Sequence, residues 1–186
     1  MTAHADDLVL TTPRLRGSPL CADDSDDLAA LHRDQQVLAA FGAGPLTAEE
    51  TREFLERRLR HWREHGFGIW VFRDAAGSFV GRCGIHRWSL DGVDEVELGY
   101  VVRSALWSRG YATEMGHAVV SHALSALGLA TLVGFTRREN VRSRRVLEKL
   151  GFVFEREFAA EGEQSVLYRG HRGVEPVPAA SVDALH

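Results

Sequence analysis

Apolar positions in this chain recur at two spacings, and the changes between them mark where one predicted element gives way to the next. "LVLTTPRLR", within Leu8–Leu20, reads as a short strand bounded by Pro13 and Pro19. From Asp23 to about Val37, Leu28 and Leu31 fall on one helical stripe behind Asp and Ser residues that can cap a helix. "FGAGP", Phe41 to Pro45, breaks the chain. Thr47 followed by Glu50 forms a capping box, and Phe54, Leu55, Leu59 and Trp62 repeat behind it at helical spacing until "EHGFG". "GIWVFRD" and "SFVGRCGIHRW" flank Asp74–Gly77 as a hairpin, and Asp91–Gly92 turns the chain into "VDEVELGYVV".

The second half alternates helix and strand. A helix is predicted from about Tyr111 to Leu127, with Ala112, Met115, Gly116, Val119, Ala123 and Leu127 on one stripe and Gly128 as its left-handed cap. "ATLVGFT" is a short buried strand. "RENVRSRRVLEKL" is a helix with Val146, Leu147 and Leu150 inward and Gly151 as its cap, and "FVFEREF" and "SVLYRGH" close the domain. This order predicts an α/β (α+β) fold: a mixed, mainly antiparallel sheet of roughly six to seven strands with helices on both faces. "VELGYVV" and "ATLVGFT" are its parallel neighbours, joined by a β-α-β crossover. A single domain is expected over 1–172, with a disordered tail over 173–186, where Pro176, Pro178 and small residues gather.

Composition narrows the classes. Of 186 residues, 45% are apolar and 26% charged, as in an ordinary globular chain. No apolar run approaches the roughly 20 residues that span a bilayer. "MTAHADDLVL" has no basic stretch leading into an apolar one, so the expected location is the cytoplasm. Cys21 and Cys83 fit neither a disulfide framework nor a metal-ligand spacing, so two reduced thiols and no metal are expected. A net charge of −4 argues against a dedicated nucleic-acid binder. The charge is uneven: Asp23, Asp24, Asp26 and Asp27 open a helix, and Arg137, Arg138, Arg142, Arg144 and Arg145 cluster late.

"LWSRGYATEMGHAVV", Leu106 to Val120, runs from a strand through a small, glycine-containing loop into a helix. A helix start presents unpaired N–H groups and partial positive charge, where a phosphate can dock. Gly110 and Ala112 leave the backbone approachable, Ser108 and Thr113 offer hydroxyls, and Arg109 a cation. The alternative is that Gly110 only shapes a tight turn. There is no G-x-x-x-x-G-K-[ST] loop, since the only lysine is Lys149, and no G-x-G-x-x-G after a strand.

"WSRGYATE" resembles the pyrophosphate-binding loop, Q/R-x-x-G-x-G/A, of the GNAT superfamily of acyl-CoA-dependent N-acetyltransferases. Trp107 takes the Q/R place, and Gly110 and Ala112 match. "ENVRSRRVLEKLGF" is similar to the N-x-x-S-x-x-x-x-x-K-x-G-F helix end of the RimJ/RimL-like branch, which includes the ribosomal-protein N-terminal acetyltransferases. Asn140, Ser143, Lys149, Gly151 and Phe152 match. "VELGY" is similar to the E-[IL]-G-Y strand of that branch, and "TPRLR" with the Asp-rich helix start resembles its opening. The ordered set covers nearly the whole chain. Two departures stand out: Trp107 and Ser108 replace a common Q-G pair, and Leu147 stands where many members carry a tyrosine that protonates the leaving thiolate.

The resemblance implies a GNAT-like sheet whose parallel pair splays apart, and direct transfer of an acetyl group from acetyl-CoA, as co-substrate, to a primary amine. Glu97 is the favoured general base, with Glu95 and His86 behind it; a solvated strand carboxylate is the plainer reading. The strand's backbone at Gly99 and Tyr100 would supply the oxyanion donor, and Ser143 lies where the branch places a serine near the sulfur. The cofactor contacts implied are Gly99, Tyr100, Val101, Val102, Trp107, Ser108, Arg109, Gly110, Tyr111, Ala112, Thr113, Asn140, Ser143 and Arg145. Asn140 would reach the pantetheine arm or simply cap its helix. Arg142, Arg144 and Arg145 would lie near the 3′-phosphate, or form a solvated face. Trp62, Phe67, Trp70 and Trp88 either wall the acceptor side or belong to the core. The acceptor is a protein N-terminal amine or a small amine. Other classes are a non-catalytic acyl-CoA-binding protein and, more weakly, a nucleic-acid-binding module. Expected partners exclude nucleic acid and membrane, and the protein is expected to be a monomer or homodimer.

Overall fold

The computed structural model describes residues 8–41, 44–90, 92–160 and 163–173. The expected tail lies outside them from residue 174, as do Gly42 and Ala43 of the predicted break and Asp91 of the predicted turn. In hydrogen-bonding order, eight strands run β1-β2-β3-β4-β5-β6-β8-β7. They are β1 (Leu10–Thr11), β2 (Leu15–Pro19), β3 (Ile69–Asp74), β4 (Phe79–Leu90), β5 (Val93–Val102), β6 (Thr131–Arg137), β7 (Val153–Ala160) and β8 (Glu163–His171). The β5–β6 pair is parallel, and every other ladder described is antiparallel. The α+β class and the mixed, mainly antiparallel sheet are therefore as expected.

The strand count is eight rather than six to seven, and Pro13 is the reason. It interrupts the first predicted strand, and Thr12 turns the chain: its amide donates to the Leu15 carbonyl (2.9 Å) and its hydroxyl accepts from the Leu15 amide (2.9 Å). The halves become a hairpin with Leu10 opposite Gly17. The first predicted helix also divides, into α1 (Ser25–Leu31) and α2 (Gln35–Phe41). Asp34 stands between them, and its carboxylate accepts from the Gln36 (3.1 Å) and Val37 (3.4 Å) amides at the start of α2.

The described residues divide into two compact units, one within 8–86 with 99–119 and the other within 87–98 with 120–173. In the first, α3 (Ala48–His65) begins at the Thr47–Glu50 capping box and ends at left-handed Gly66. Its buried Phe54 and Leu55 join Leu28, Leu31, Ile69, Val71 and Val101 in one apolar cluster. The early acidic group does more than open a helix, because Arg73 of β3 donates to Asp24 (2.9 Å) and Asp27 (2.6 Å).

In the second unit, β6 and β8 are paired along their length, and α5 (Val141–Lys149) buries Leu147 against β6 at Gly134. A Cβ at Gly134 would lie 2.6 Å from Leu147 Cδ2, so the glycine permits this approach. Leu132, Val133, Leu147, Phe152, Leu167 and Tyr168 form the buried interior. Helix α4 (Tyr111–Ser121) continues into a π-helical turn, His122–Ala126, before Gly128. Both cysteines are free thiols, and no helix among the described residues is long and apolar enough to cross a membrane.

Candidate active site

In the first unit, the end of β5 leads through Ser104–Leu106 to the loop Trp107–Gly110 and into α4. Ser108, Arg109 and Gly110 are exposed. Ser108 (φ 62°) and Gly110 (φ 80°) adopt left-handed backbone, which bends the chain sharply before the helix. Ser108 is the only non-glycine among the described residues to do so. The Glu114 amide donates to the Gly110 carbonyl (3.0 Å), so the amides of Tyr111, Ala112 and Thr113 precede the helix's own hydrogen-bond ladder. A Cβ on Gly110 would meet only Arg14 Nη2, at 3.5 Å. The loop is therefore bare main chain at a helix mouth, and it fits an anion.

Trp107, expected here, and the unforeseen Arg14, Thr12, Glu114 and Asp34 hold this loop. The Trp107 indole N–H donates to the Val102 carbonyl (2.8 Å), tying the loop to β5. Arg14 donates to the Arg109 carbonyl (3.0 Å) and to Glu114 (2.7 Å), and its guanidinium lies 4.3 Å from the centre of the Tyr111 ring. Thr12 donates to the same carboxylate (2.6 Å). Burial alone would raise the Glu114 pKa, but the hydrogen bonds from Thr12 and Arg14 outweigh it and hold the carboxyl below its usual range. Asp34 adds a further tie, accepting from the Ser104 amide (3.0 Å). Gly99, Tyr100, Val101 and Val102 also belong to this unit, and a Cβ on Gly99 would touch nothing within 4 Å.

The second unit holds Glu97, Asn140, Ser143 and Arg145. Glu97 is buried (9% exposed) and stands opposite Val133 in the one register pair of the parallel ladder. So short a ladder between strands of ten and seven residues is what a splayed pair requires. Glu95 is committed elsewhere, because Arg169 grips its carboxylate with two bonds (2.7 and 3.1 Å) and also holds Glu155. His86 sits in the first unit, its ring 6.5 Å from that of His61.

Asn140 caps α5: its Oδ1 accepts from the Ser143 amide (3.1 Å). Much of the late basic cluster is engaged within the second unit. Arg144 donates to the Tyr168 hydroxyl (3.1 Å), Arg138 pairs with Glu157 (3.5 Å), and Arg137 bridges Glu139 and Glu163 (2.8 Å each). Arg142 and Arg145 occupy exposed helix positions.

Register places Glu97 and Ser143 on different faces. Helix α5 packs where the Gly134 Cβ would point. Val133 and Phe135 flank Gly134 and point the other way, and Glu97, paired with Val133, shares their face. Glu97 therefore lies on one face of the sheet, and α5, with half-buried Ser143, lies on the other.

This geometry has known counterparts. The profile of the acetyltransferase (GNAT) domain matches residues 14–153. The chain belongs to the GNAT acetyltransferases. It is 31% identical over 163 residues to the FsC-acetyl coenzyme A-N(2)-transacetylase of Aspergillus fumigatus, covering 77% of this chain and 64% of that protein. The acetyltransferase from Agrobacterium tumefaciens superposes with a TM-score of 0.76 at 26% identity, covering 88% of this chain and 94% of that one. RimJ of Mycobacterium smegmatis, solved with a CoA disulfide, shares the fold with a TM-score of 0.72 at 21% identity, over 88% of this chain and 86% of its own. This GNAT protein is thus an acyltransferase with RimJ/RimL-like structural neighbours.

Proposed function

We propose that this GNAT acetyltransferase moves an acetyl group from acetyl-CoA directly to a primary amine. The observation that carries the reading is the loop Trp107–Thr113, whose two left-handed residues deliver bare amides to the mouth of α4. Those amides and Arg109 hold the diphosphate of CoA, while the backbone of Gly99–Val102 lies along its pantetheine arm. Tyr111, Ala112 and Thr113 supply the helix-start donors.

Glu97 accepts the proton of the incoming ammonium, directly or through one water, which frees the nitrogen lone pair. The nitrogen attacks the thioester carbonyl, a C–N bond forms, and the C–S electron pair leaves with sulfur. A backbone N–H at Gly99 or Tyr100 stabilises the oxyanion in between. The Ser143 hydroxyl donates to the departing thiolate, in place of the tyrosine that Leu147 replaces, and the second proton shed by the new amide nitrogen returns through water to Ser143, leaving a neutral amide and a thiol. Asn140 and Arg145 complete the carrier's contacts. The enzyme acts in the cytoplasm as a monomer or homodimer, with neither nucleic acid nor membrane as partner.

The test is thiol release from acetyl-CoA across a panel of amines that includes N-terminal peptides and polyamines. Release with at least one amine is expected. CoA binding without release for any amine would instead indicate a non-catalytic acyl-CoA-binding protein.

A further inference from the structure

Of the four aromatic residues considered for the acceptor side, Phe67 and Trp70 are buried in the first unit, and Trp62 is half-buried there with its polar tip and ring already engaged. Trp70 is fully buried, Phe67 is 7% exposed, and Trp62 donates its indole N–H to the Ile69 carbonyl (2.9 Å) with its ring edge-on to Trp70. Trp88 differs. It lies in the second unit, half-buried, with its ring stacked on Phe135 at 4.5 Å and 23°. Phe158 meets Phe135 edge-on (5.7 Å, 77°) and tilts toward Trp88 (6.2 Å, 55°). Strands β4, β6 and β7 each supply one ring of a continuous shelf.

All three rings remain half-buried, whereas Leu132, Val133 and Leu167 of the same unit are buried at 1% exposure or less. The shelf lies on the Glu97 face. Phe135 follows Gly134 and so points away from α5, on the side of Val133 and its partner Glu97. From Val133 to Phe135 is two residues of strand, about 7 Å. Arg156 lies over the Phe158 ring at 5.5 Å and closes the outer end.

We propose that Trp88, Phe135 and Phe158 form the acceptor subsite, and that preferred acceptors are primary amines bearing an aryl group a short alkyl spacer from the nitrogen. The inference rests on the reading of the protein as an N-acetyltransferase with Glu97 as its base. An ammonium beside Glu97 is matched in charge. An aryl group about 7 Å further along the strand meets stacked rings, against which aromatic groups pack in offset or edge-on geometry.

The experiment compares 2-phenylethylamine with ethylamine by thiol release, and measures 2-phenylethylamine binding by calorimetry on the CoA-saturated protein. A kcat/KM about tenfold higher for 2-phenylethylamine is expected, carried by KM. Trp88→Ala and Phe158→Ala should each erase most of that ratio, and Trp88→Phe should restore much of it. If Trp88→Ala does not fold, Phe158→Ala and Trp88→Phe carry the comparison. Equal use of both amines, or a ratio unmoved by these variants while CoA still binds, overturns the shelf and leaves the transferase reading intact. If CoA does not bind, the transferase reading falls, and calorimetry decides the shelf alone: saturable 2-phenylethylamine binding weakened by Phe158→Ala supports it, and no binding overturns it.

Discussion

Replacing Gly81 with alanine should loosen the first unit and the anion loop together. A Cβ at this position would lie 2.2 Å from the Val101 carbonyl oxygen and 2.9 Å from Val102 Cα, both backbone atoms of β5. Ordinary contact begins near 3.4 Å, so β5 must retreat by about 1 Å with no flexible side chain to absorb the change. Overpacking of this kind costs about 3 kcal/mol. In a chain of this size each kcal/mol shifts Tm by about 2–4 °C, so Tm should fall by roughly 6–12 °C. The same displacement moves the Val102 carbonyl that receives the Trp107 indole N–H. The CoA Kd should therefore rise about tenfold, a loss of about 1.4 kcal/mol. Scanning calorimetry and CoA titration read the two effects. Gly99→Ala is the stability control, because its Cβ meets nothing within 4 Å. Melting of Gly81→Ala within about 2 °C of wild type would refute the packing argument.

Gly110→Val should weaken CoA binding by at least about tenfold, because left-handed backbone costs an L residue about 1–2 kcal/mol and a branched side chain covers the bare amides. An unchanged Kd would count against the loop as the diphosphate site. Glu114→Ala strips Thr12 and Arg14 of their shared acceptor and should lower stability by about 2 kcal/mol in urea titration. Glu97→Gln should lower kcat at least about a hundredfold with little change in CoA affinity, as for loss of a general base. His32 is buried, and burial, then the nearby Arg82, lowers its pKa from 6.5 to about 4. The unfolded chain binds the extra proton first, so the neutral imidazole's contribution is complete above about pH 6.5 and falls away as pH drops toward 4, by about 3 kcal/mol. Urea titrations from pH 7 to 4 should show a shallower loss for His32→Phe than for wild type.

Local signals carried most of the fold. The Thr47–Glu50 box and Gly66 bound α3 as their side-chain and backbone chemistry requires, and Gly128 and Gly151 end their segments in left-handed backbone. Pro13 was legible as a boundary but not as the turn of a hairpin, because that outcome depends on Thr12 bonding across it to Leu15. The site divides in the same way. Gly110 and Asn140 could be picked out because each acts on its own backbone neighbourhood. Arg14 and Thr12 could not, since they reach Glu114 across about a hundred residues and no spacing rule spans that gap. Glu95 and Glu97 look equivalent along the strand. Only the fold brings Arg169, 74 residues away, onto Glu95. The common Q-G pair of the family also gains a physical reason, because its second position is left-handed here, and Ser108 bears that conformation without being glycine.

The account stands most directly on which backbone amides meet CoA. Amide spectra of the isotopically labelled protein, recorded as CoA is added, test this. The account predicts that the largest and saturable shifts fall on Ser108 to Thr113. Saturable binding that leaves those amides unmoved, or no binding at millimolar CoA, would contradict it.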